Sequence, residues 1–199
     1  MDDNKEILRK MCHILFGLLI VAGLQTIEQG IFIRLLLVLF LFTVFITIVN
    51  LKYKIKILEK VGKETEKKFP LKGAIFFLVG AVIVILLFPR DVALAAILVL
   101  TFGDAVSYLA GFFGAKYKIN PFRKWKSLFG TFCGMVVAFL FAIIVIDPLS
   151  AAVGAFFGMA AEAISIKLGE SDADDNLIMP LAAATAMYFL NRIDITPFL

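Results

Sequence analysis

Seven long apolar runs, separated by short polar segments, determine what this chain of 199 residues can fold into. A helix that crosses a bilayer needs about 20 mostly apolar residues. Because the chain is 61% hydrophobic and only 18% charged, such runs take up most of its length. The pattern predicts an all-α, polytopic integral membrane protein with about seven transmembrane helices in a single domain, residues 1–199. The predicted spans lie near residues 11–27, 31–49, 71–88, 92–113, 128–147, 149–167 and 177–190.

Lysine and arginine residues concentrate in alternate loops, as expected of loops that stay in the cytoplasm. The basic segments are 5–10, 52–68 and 116–126. They predict a cytoplasmic amino terminus and an outer carboxyl terminus. The formal charge of +4 therefore reflects topology, and no nucleic-acid binding is expected. Residues 51–69 place apolar side chains three or four apart among lysines, which predicts an amphipathic helix on the cytoplasmic membrane surface.

Two carboxylates, Asp104 and Glu162, fall inside predicted spans. A carboxylate in hydrocarbon costs at least about 2.5 kcal/mol on insertion scales, so such a group usually faces a polar cavity with a partner. A purely structural hydrogen bond is the alternative for both acids. Asp104 would lie roughly 18 Å from Lys116 along an unbroken helix. The fourth helix is therefore expected to be broken or shortened near Gly103, or a cavity must reach down to Asp104.

Basic side chains gather at the predicted cytoplasmic ends. Arg9, Lys10 and His13 fall within about one turn at the start of the first span. Topology signalling is the alternative for the two cations, and a structural hydrogen bond is the alternative for the histidine.

The loop after the fourth span places Lys116, Lys126 and Ser127 among glycines. Lysines and the free amides at a helix start are groups that bind phosphate, so this loop predicts an anion site. The glycines Gly130 and Gly134 are equally typical of close helix packing, which is the favoured interpretation for that pair.

A cluster of acids precedes the seventh span, and helix capping accounts for one or two of them. Its members are Glu170, Asp172, Asp174 and Asp175, followed by Asn176. Hard oxygen ligands beside lysines are the groups needed to hold Mg²⁺ on a polyphosphate. The residues therefore predict a nucleotide or pyrophosphate site at the cytoplasmic face. The predicted metal ligands are drawn from Asp104, Glu162, Asp174 and Asp175.

The order of these blocks along nearly the whole chain resembles the polyprenol kinase family. That family includes dolichol, phytol and farnesol kinases and CTP-dependent diacylglycerol kinases, and it is related to phosphatidate cytidylyltransferases. The blocks are Arg9-Lys10-x-x-His13, Gly103-Asp104 with Gly111 and Gly114, Lys116, Lys126-Ser127 with Gly130, Glu162, and Asp174-Asp175-Asn176 with Pro180. The resemblance implies phosphoryl transfer from CTP, or from ATP, to the hydroxyl of a membrane lipid alcohol. It leaves the oligomeric state open.

In this interpretation Mg²⁺ and the basic residues neutralise the phosphates, and the lipid hydroxyl enters sideways between helices. The phosphate and nucleotide contacts are expected from Arg9, Lys10, Lys116, Lys126, Ser127 and Asn176. Either Asp104 or His13 would accept the proton of the hydroxyl, and Asp104 is the favoured choice. Two alternatives stay open. One is a cytidylyltransferase that makes a CDP-lipid from a lipid phosphate, and the other is a cation- or proton-coupled transporter in which the intramembrane acids relay charge.

Overall fold

The computed structural model describes residues 3–53, 71–114, 120, 126–164, 167–168 and 171–192. Over these ranges the chain is helical apart from one antiparallel pair of two-residue strands. The helices are α1 (Asp3–Thr26), α2 (Gln29–Tyr53), α3 (Lys72–Leu87), α4 (Arg90–Leu98), α5 (Asp104–Phe113), α6 (Leu128–Ala142), α7 (Pro148–Ala163) and α8 (Asp175–Leu190). The strands β1 (Lys167–Leu168) and β2 (Ser171–Asp172) pair between α7 and α8. The all-helical prediction is confirmed, and every predicted span contains a helix. The amphipathic helix predicted over 51–69 lies outside the described residues except for the last turn of α2.

Among the described residues, three helical stretches are long and apolar enough to cross a membrane, by length and composition. They are Glu6–Thr26, Gln29–Tyr53 and Arg90–Phe113. These stretches indicate a membrane protein. The helices α6, α7 and α8 are shorter, with 15, 16 and 16 residues. At 1.5 Å per residue they extend over about 22–24 Å, less than the ~30 Å of a hydrocarbon core.

The fourth predicted span is one continuous helix, but its hydrogen bonding changes in the middle. Between α4 and α5 the residues Val99–Gly103 form a π-helix, which we call the π segment. A break near Gly103 is therefore not found. The helix changes its hydrogen-bond pattern there and continues. It ends at Phe113, nine residues after Asp104.

This central helix is the most buried of the three candidate spans. In the most apolar stretch of this helix 78% of the residues are buried, whereas the corresponding shares are 22% in α1 and 17% in α2. Helices α7 and α8 pack antiparallel against each other, and a methyl group at Gly154 would lie 2.6 Å from Met187 Sδ. The core therefore consists of the central helix with α3, α6, α7 and α8 around it, while α1 and α2 are more exposed.

The amino-terminal ends of α4 and α7 carry polar contacts that fix one end of the bundle. Arg90 donates to the Leu24 carbonyl, and Gln29 Nε2 donates to the Ile85 carbonyl at 2.9 Å. The Ser150 hydroxyl donates to Asn191 Oδ1 at 2.7 Å. Asp104, Glu162 and the start of α8 lie toward the opposite end.

Candidate active site

Lys126, two residues before α6 begins, lies at the point where three carboxylates converge. Its ammonium contacts Glu162 Oε1, and it lies 3.4 Å from Asp175 Oδ2 and 3.8 Å from Asp104 Oδ1. Burial by itself lowers the pKa of Lys126, but the three carboxylates outweigh it and raise the pKa above its ordinary value. The side chain therefore stays protonated, and it joins the ends of α5, α7 and α8 into one site.

Lys10 approaches the same site from α1. Its ammonium donates a hydrogen bond to Asp104 Oδ2 and lies 5.7 Å from the centroid of the Tyr108 ring. Asp104 is only 5% exposed, and Lys126 faces its other oxygen. Two ammonium groups thus compensate a carboxylate that would otherwise be costly to bury.

Glu162 is fully buried near the carboxyl end of α7, with an exposed fraction of 0%. The Ser107 hydroxyl donates to Oε1 at 2.8 Å, and the Thr131 hydroxyl donates to Oε2 at 3.1 Å. Together with Lys126 these donors hold both carboxylate oxygens, so the orientation of Glu162 is fixed by α5, α6 and the loop before α6.

His13 contributes a nitrogen without a hydrogen-bond partner. Its Nε2 is buried, has no partner among the described residues, and lies 3.9 Å from Asp104 Oδ2. The ring packs edge-on against Phe77 with 4.8 Å between centroids, and the Leu100 carbonyl hydrogen-bonds to it. Nε2 is therefore a buried polar atom of the site that no described side chain satisfies.

Asp174 and Asn176 form a second polar group at the start of α8. Asp174 caps the helix by accepting from the Asn176 backbone N–H at 3.1 Å and from Asn176 Nδ2 at 2.9 Å. Its carboxylate also lies 3.9 Å from Lys72 Nζ. Burial raises the pKa of Asp174, and the Asn176 amide and Lys72 offset only part of that rise.

The amide of Asn176 has a fixed orientation. Its Nδ2 donates to Asp174 and also to the Gly73 carbonyl at 3.2 Å, so a flipped amide would place oxygen against two acceptors. The Oδ1 atom is buried and has no partner among the described residues. Asn176 thus presents an acceptor that a ligand N–H or O–H group could use.

Ser127 caps α6 and brings α5 and α6 close together. Its hydroxyl accepts from the Gly130 N–H at 3.4 Å. A methyl group at Gly130 would lie 2.3 Å from the Ser107 carbonyl, and one at Gly134 would lie 2.6 Å from the Gly103 carbonyl. The packing role predicted for these two glycines is confirmed.

The predicted phosphate ligand Arg9 pairs with an acid of its own helix. Arg9 donates to Glu6 Oε2 at 2.8 Å, one turn back along α1. Lys116 lies outside the described residues. Their assignment to phosphate stays a prediction.

The predicted metal ligands are only partly gathered. Asp104, Glu162 and Asp175 surround the Lys126 ammonium, whereas Asp174 pairs with Lys72 and Asn176. Within the described ranges no three His, Cys, Asp or Glu side chains lie close enough together to hold a metal ion.

The donor chemistry nevertheless fits a hard cation such as Mg²⁺. Three carboxylates converge on one positively charged point, and carboxylate oxygen is the ligand that Mg²⁺ prefers. With Lys10 and Lys126 included, these five side chains carry one more negative than positive charge. The cluster can therefore take up additional positive charge.

Some of the site was not assigned from the sequence. Thr131 and Lys72 were missed, and Ser107 was noted only as part of a polar face. Thr131 lies four residues after Ser127, on the same face of α6, and this spacing is the signal that could have identified it.

The fold and the site together define a helical membrane protein with a buried cluster of carboxylates and lysines. Its sequence is 28% identical over 182 residues to an uncharacterised protein of Methanocaldococcus jannaschii, covering 90% of this chain and 91% of that protein. It is 27% identical over 144 residues to CTP-dependent diacylglycerol kinase 1 of Schizosaccharomyces pombe, covering 64% of each chain. No family model matches the chain. No solved structure matches it either. The similarity to the yeast protein is distant, and it links the chain to a lipid kinase.

Proposed function

We propose that the protein is a membrane lipid-alcohol kinase. It would transfer the terminal phosphate of a nucleoside triphosphate, CTP in preference to ATP, to the hydroxyl of a polyprenol, another isoprenoid alcohol or a diacylglycerol. The observation that carries the proposal is the convergence of Asp104, Glu162 and Asp175 on Lys126, with Lys10 beside them. The distant similarity to a CTP-dependent diacylglycerol kinase supports the same reaction class.

The charges of the cluster suit phosphoryl transfer, which depends on positioning and neutralisation more than on covalent chemistry. Lys10 and Lys126 have flexible stems, so each ammonium can contact phosphate oxygens while it stays near its carboxylates. Mg²⁺, when bound, would neutralise charge on the transferred phosphate, and its ligands would come from Asp104, Glu162, Asp174 and Asp175. Further nucleotide and phosphate contacts are proposed for Arg9, Lys116, Ser127 and Asn176.

The depth of the site suits a substrate whose hydroxyl stays near the membrane. We place the amino terminus and the site on the cytoplasmic side, with the seven apolar helices across the bilayer. Because α6, α7 and α8 extend over only about 22–24 Å, their ends at the site lie below the surface of a ~30 Å hydrocarbon core. A lipid hydroxyl would reach the cluster without leaving the membrane.

His13 is the better candidate for the proton acceptor. The sequence favoured Asp104, but both oxygens of Asp104 face ammonium groups, which already occupy them. The Nε2 atom of His13 has no hydrogen-bond partner among the described residues and lies 3.9 Å from that carboxylate. We therefore assign proton acceptance to His13, and we assign Asp104 to holding the lysines and the metal.

Replacing His13 with glutamine is expected to lower kcat at least about 10²-fold, because positioned acid–base groups contribute that much or more. The KM for the nucleotide should change little, since the lysines stay in place. Phe16→Leu is the matched packing control, because Phe16 also contacts Phe77, at 5.4 Å between ring centroids. Steady-state kinetics of both variants provide the measurement. A His13→Gln enzyme with wild-type kcat would move the proton acceptor elsewhere.

Nucleotide binding is expected to depend on a divalent cation. CTP with Mg²⁺ should raise the thermal unfolding midpoint of the purified protein, and a chelator should abolish the shift. Glu162→Gln should weaken the shift because a carboxylate of the cluster is lost. A shift that is equally large with CTP and chelator would contradict the metal assignment.

The proposal as a whole is tested by incubating purified protein with Mg²⁺ and CTP or ATP together with a panel of lipid alcohols. Phosphorylated lipid is the expected product. If every alcohol fails but a lipid phosphate is converted to a CDP-lipid, the protein is a cytidylyltransferase and the kinase assignment is wrong. Ion or substrate flux into liposomes without nucleotide consumption would support the transporter.

A further inference from the structure

We propose that the π segment is a positioning element, stabilised by the hydroxyl of Thr101, which turns Asp104 and Ser107 toward the two lysines and Glu162. Asp104 follows the π segment directly, and Ser107 lies one turn further on. The part of this inference that concerns turnover rests on the proposed kinase function. The part that concerns geometry holds for any chemistry at this site.

A π-helical turn contains one residue more than an α-helical turn, and such turns occur frequently at functional sites. One additional residue rotates everything after it by about 100° relative to a regular α-helix, which has 3.6 residues per turn. Without the π segment, Asp104 would therefore not face Lys10 and Lys126. Ser107 would likewise lose its hydrogen bond to Glu162, which is 2.8 Å long.

The neighbouring helices are shaped to fit the π segment. A methyl group at Gly17 of α1 would lie 2.0 Å from Thr101 Oγ1, and one at Gly134 of α6 would lie 2.6 Å from the Gly103 carbonyl. A methyl group at Gly103 itself would lie 2.6 Å from Met159 Sδ of α7. Three helices therefore approach the segment at distances that only glycine allows.

Thr101 adds a side-chain hydrogen bond at the start of the π segment. Backbone hydrogen bonds in a π-helix run to the fifth residue and not to the fourth. The Thr101 hydroxyl is fully buried and donates to the Ile97 carbonyl at 2.7 Å. It supplies a donor where the regular α-helical pattern ends.

The π segment also orients His13. The Leu100 carbonyl, within the segment, hydrogen-bonds to the His13 ring. The same five residues thus lead directly into Asp104 and contact the His13 ring.

The geometric test uses Thr101→Val, which keeps the side-chain volume and removes the hydroxyl, and Thr101→Ser, which keeps the hydroxyl. Lys10→Met and Asp104→Asn are introduced singly and together into the wild type, into Thr101→Val and into Thr101→Ser. The shifts in thermal unfolding midpoint that the single and double changes cause are then compared within each protein. In the wild type the two changes should be non-additive because the side chains are bonded. In Thr101→Val they should become additive, and in Thr101→Ser they should stay non-additive.

The matched control is Thr47→Val. Thr47 is 2% exposed in α2 and donates to the Thr43 carbonyl at 2.8 Å, the same type of bond in a regular α-helix. The Thr47→Val change should leave the non-additivity of Lys10→Met and Asp104→Asn unchanged. If Thr101→Val is not folded, Thr101→Ala removes the same hydroxyl and provides the same comparison. Non-additivity that is as large without the hydroxyl as with it would overturn the inference.

The kinetic arm separates this inference from the proposed function. Thr101→Val should lower kcat for lipid phosphorylation about 10-fold, and Thr101→Ser should restore it. If the wild type phosphorylates no lipid, the proposed function fails while the unfolding comparison still decides the geometry. Wild-type kcat in a Thr101→Val protein would overturn the positioning role.

Discussion

Replacing Asp104 with asparagine is expected to reduce lipid phosphorylation at least about 10²-fold, the scale of losing one preorganised charged group from an active site. Asp104 is 5% exposed and holds the ammonium groups of Lys10 and Lys126 on its two oxygens. A neutral amide would keep the shape of the side chain but remove the charge partner of Lys10, weaken the hold on Lys126 and remove a proposed metal ligand. The measurement is the initial rate of lipid-phosphate formation by the folded, monodisperse fraction.

The matched control for this prediction is Asp91→Asn, the same change at the other end of the same helix. Asp91 is exposed in the first turn of α4, so its replacement should leave the rate unchanged. An Asp104→Asn enzyme that retains half or more of the wild-type rate would show that Asp104 is a structural residue.

Replacing Lys126 with methionine is expected to destabilise the fold by about 3–5 kcal/mol and to abolish turnover, because it removes the cation from a buried ionic cluster. Glu162 is fully buried and would be left with only two hydroxyl donors, Ser107 and Thr131. Asp175 and Asp104 would lose a neighbour at 3.4 and 3.8 Å. Chemical unfolding in detergent measures the stability, and Lys52→Met at the exposed end of α2 is the control.

The double variant Lys126→Met with Glu162→Gln separates stability from activity. Removing both partners of a buried ion pair is much less costly than removing one, so most of the lost stability should return. Turnover should stay absent, because the ammonium proposed to contact phosphate is missing. A double variant that is no more stable than Lys126→Met would contradict the pairing on which the site is built.

The positions of the helices were predictable because the lengths of apolar runs are a direct consequence of bilayer thickness. The ends of the helices were not. The predicted span 149–167 overlaps β1, since α7 ends at Ala163. The short α6, α7 and α8 explain how Lys126 and Asp175 reach an acid that the sequence alone placed too deep.

The meeting of these charged side chains was also predictable, because a carboxylate in a membrane helix needs a partner. Lys10, Lys126, Asp104, Glu162 and Asp175 do meet in the structure. The interactions of Glu162 with Ser107 and Thr131 could not be derived, since they depend on which helices are neighbours.

The π segment has no sequence signature of its own, because its hydrogen-bond register is imposed by the surrounding helices. By contrast, the local pair between Arg9 and Glu6 follows from their spacing of three residues and could have been predicted. Local spacing was therefore informative within a helix, and tertiary contacts decided the rest.

The most direct test of the central claim uses CTP labelled on either its α or its γ phosphate, with Mg²⁺ and purified protein, in parallel reactions that contain a lipid alcohol or a lipid phosphate. We predict that the γ label appears on the lipid and that the α label stays in CDP. The Asp104→Asn variant should transfer no label to the lipid. Transfer of the α label to a lipid by the wild-type protein with release of pyrophosphate, or no label on any lipid, would contradict the central claim.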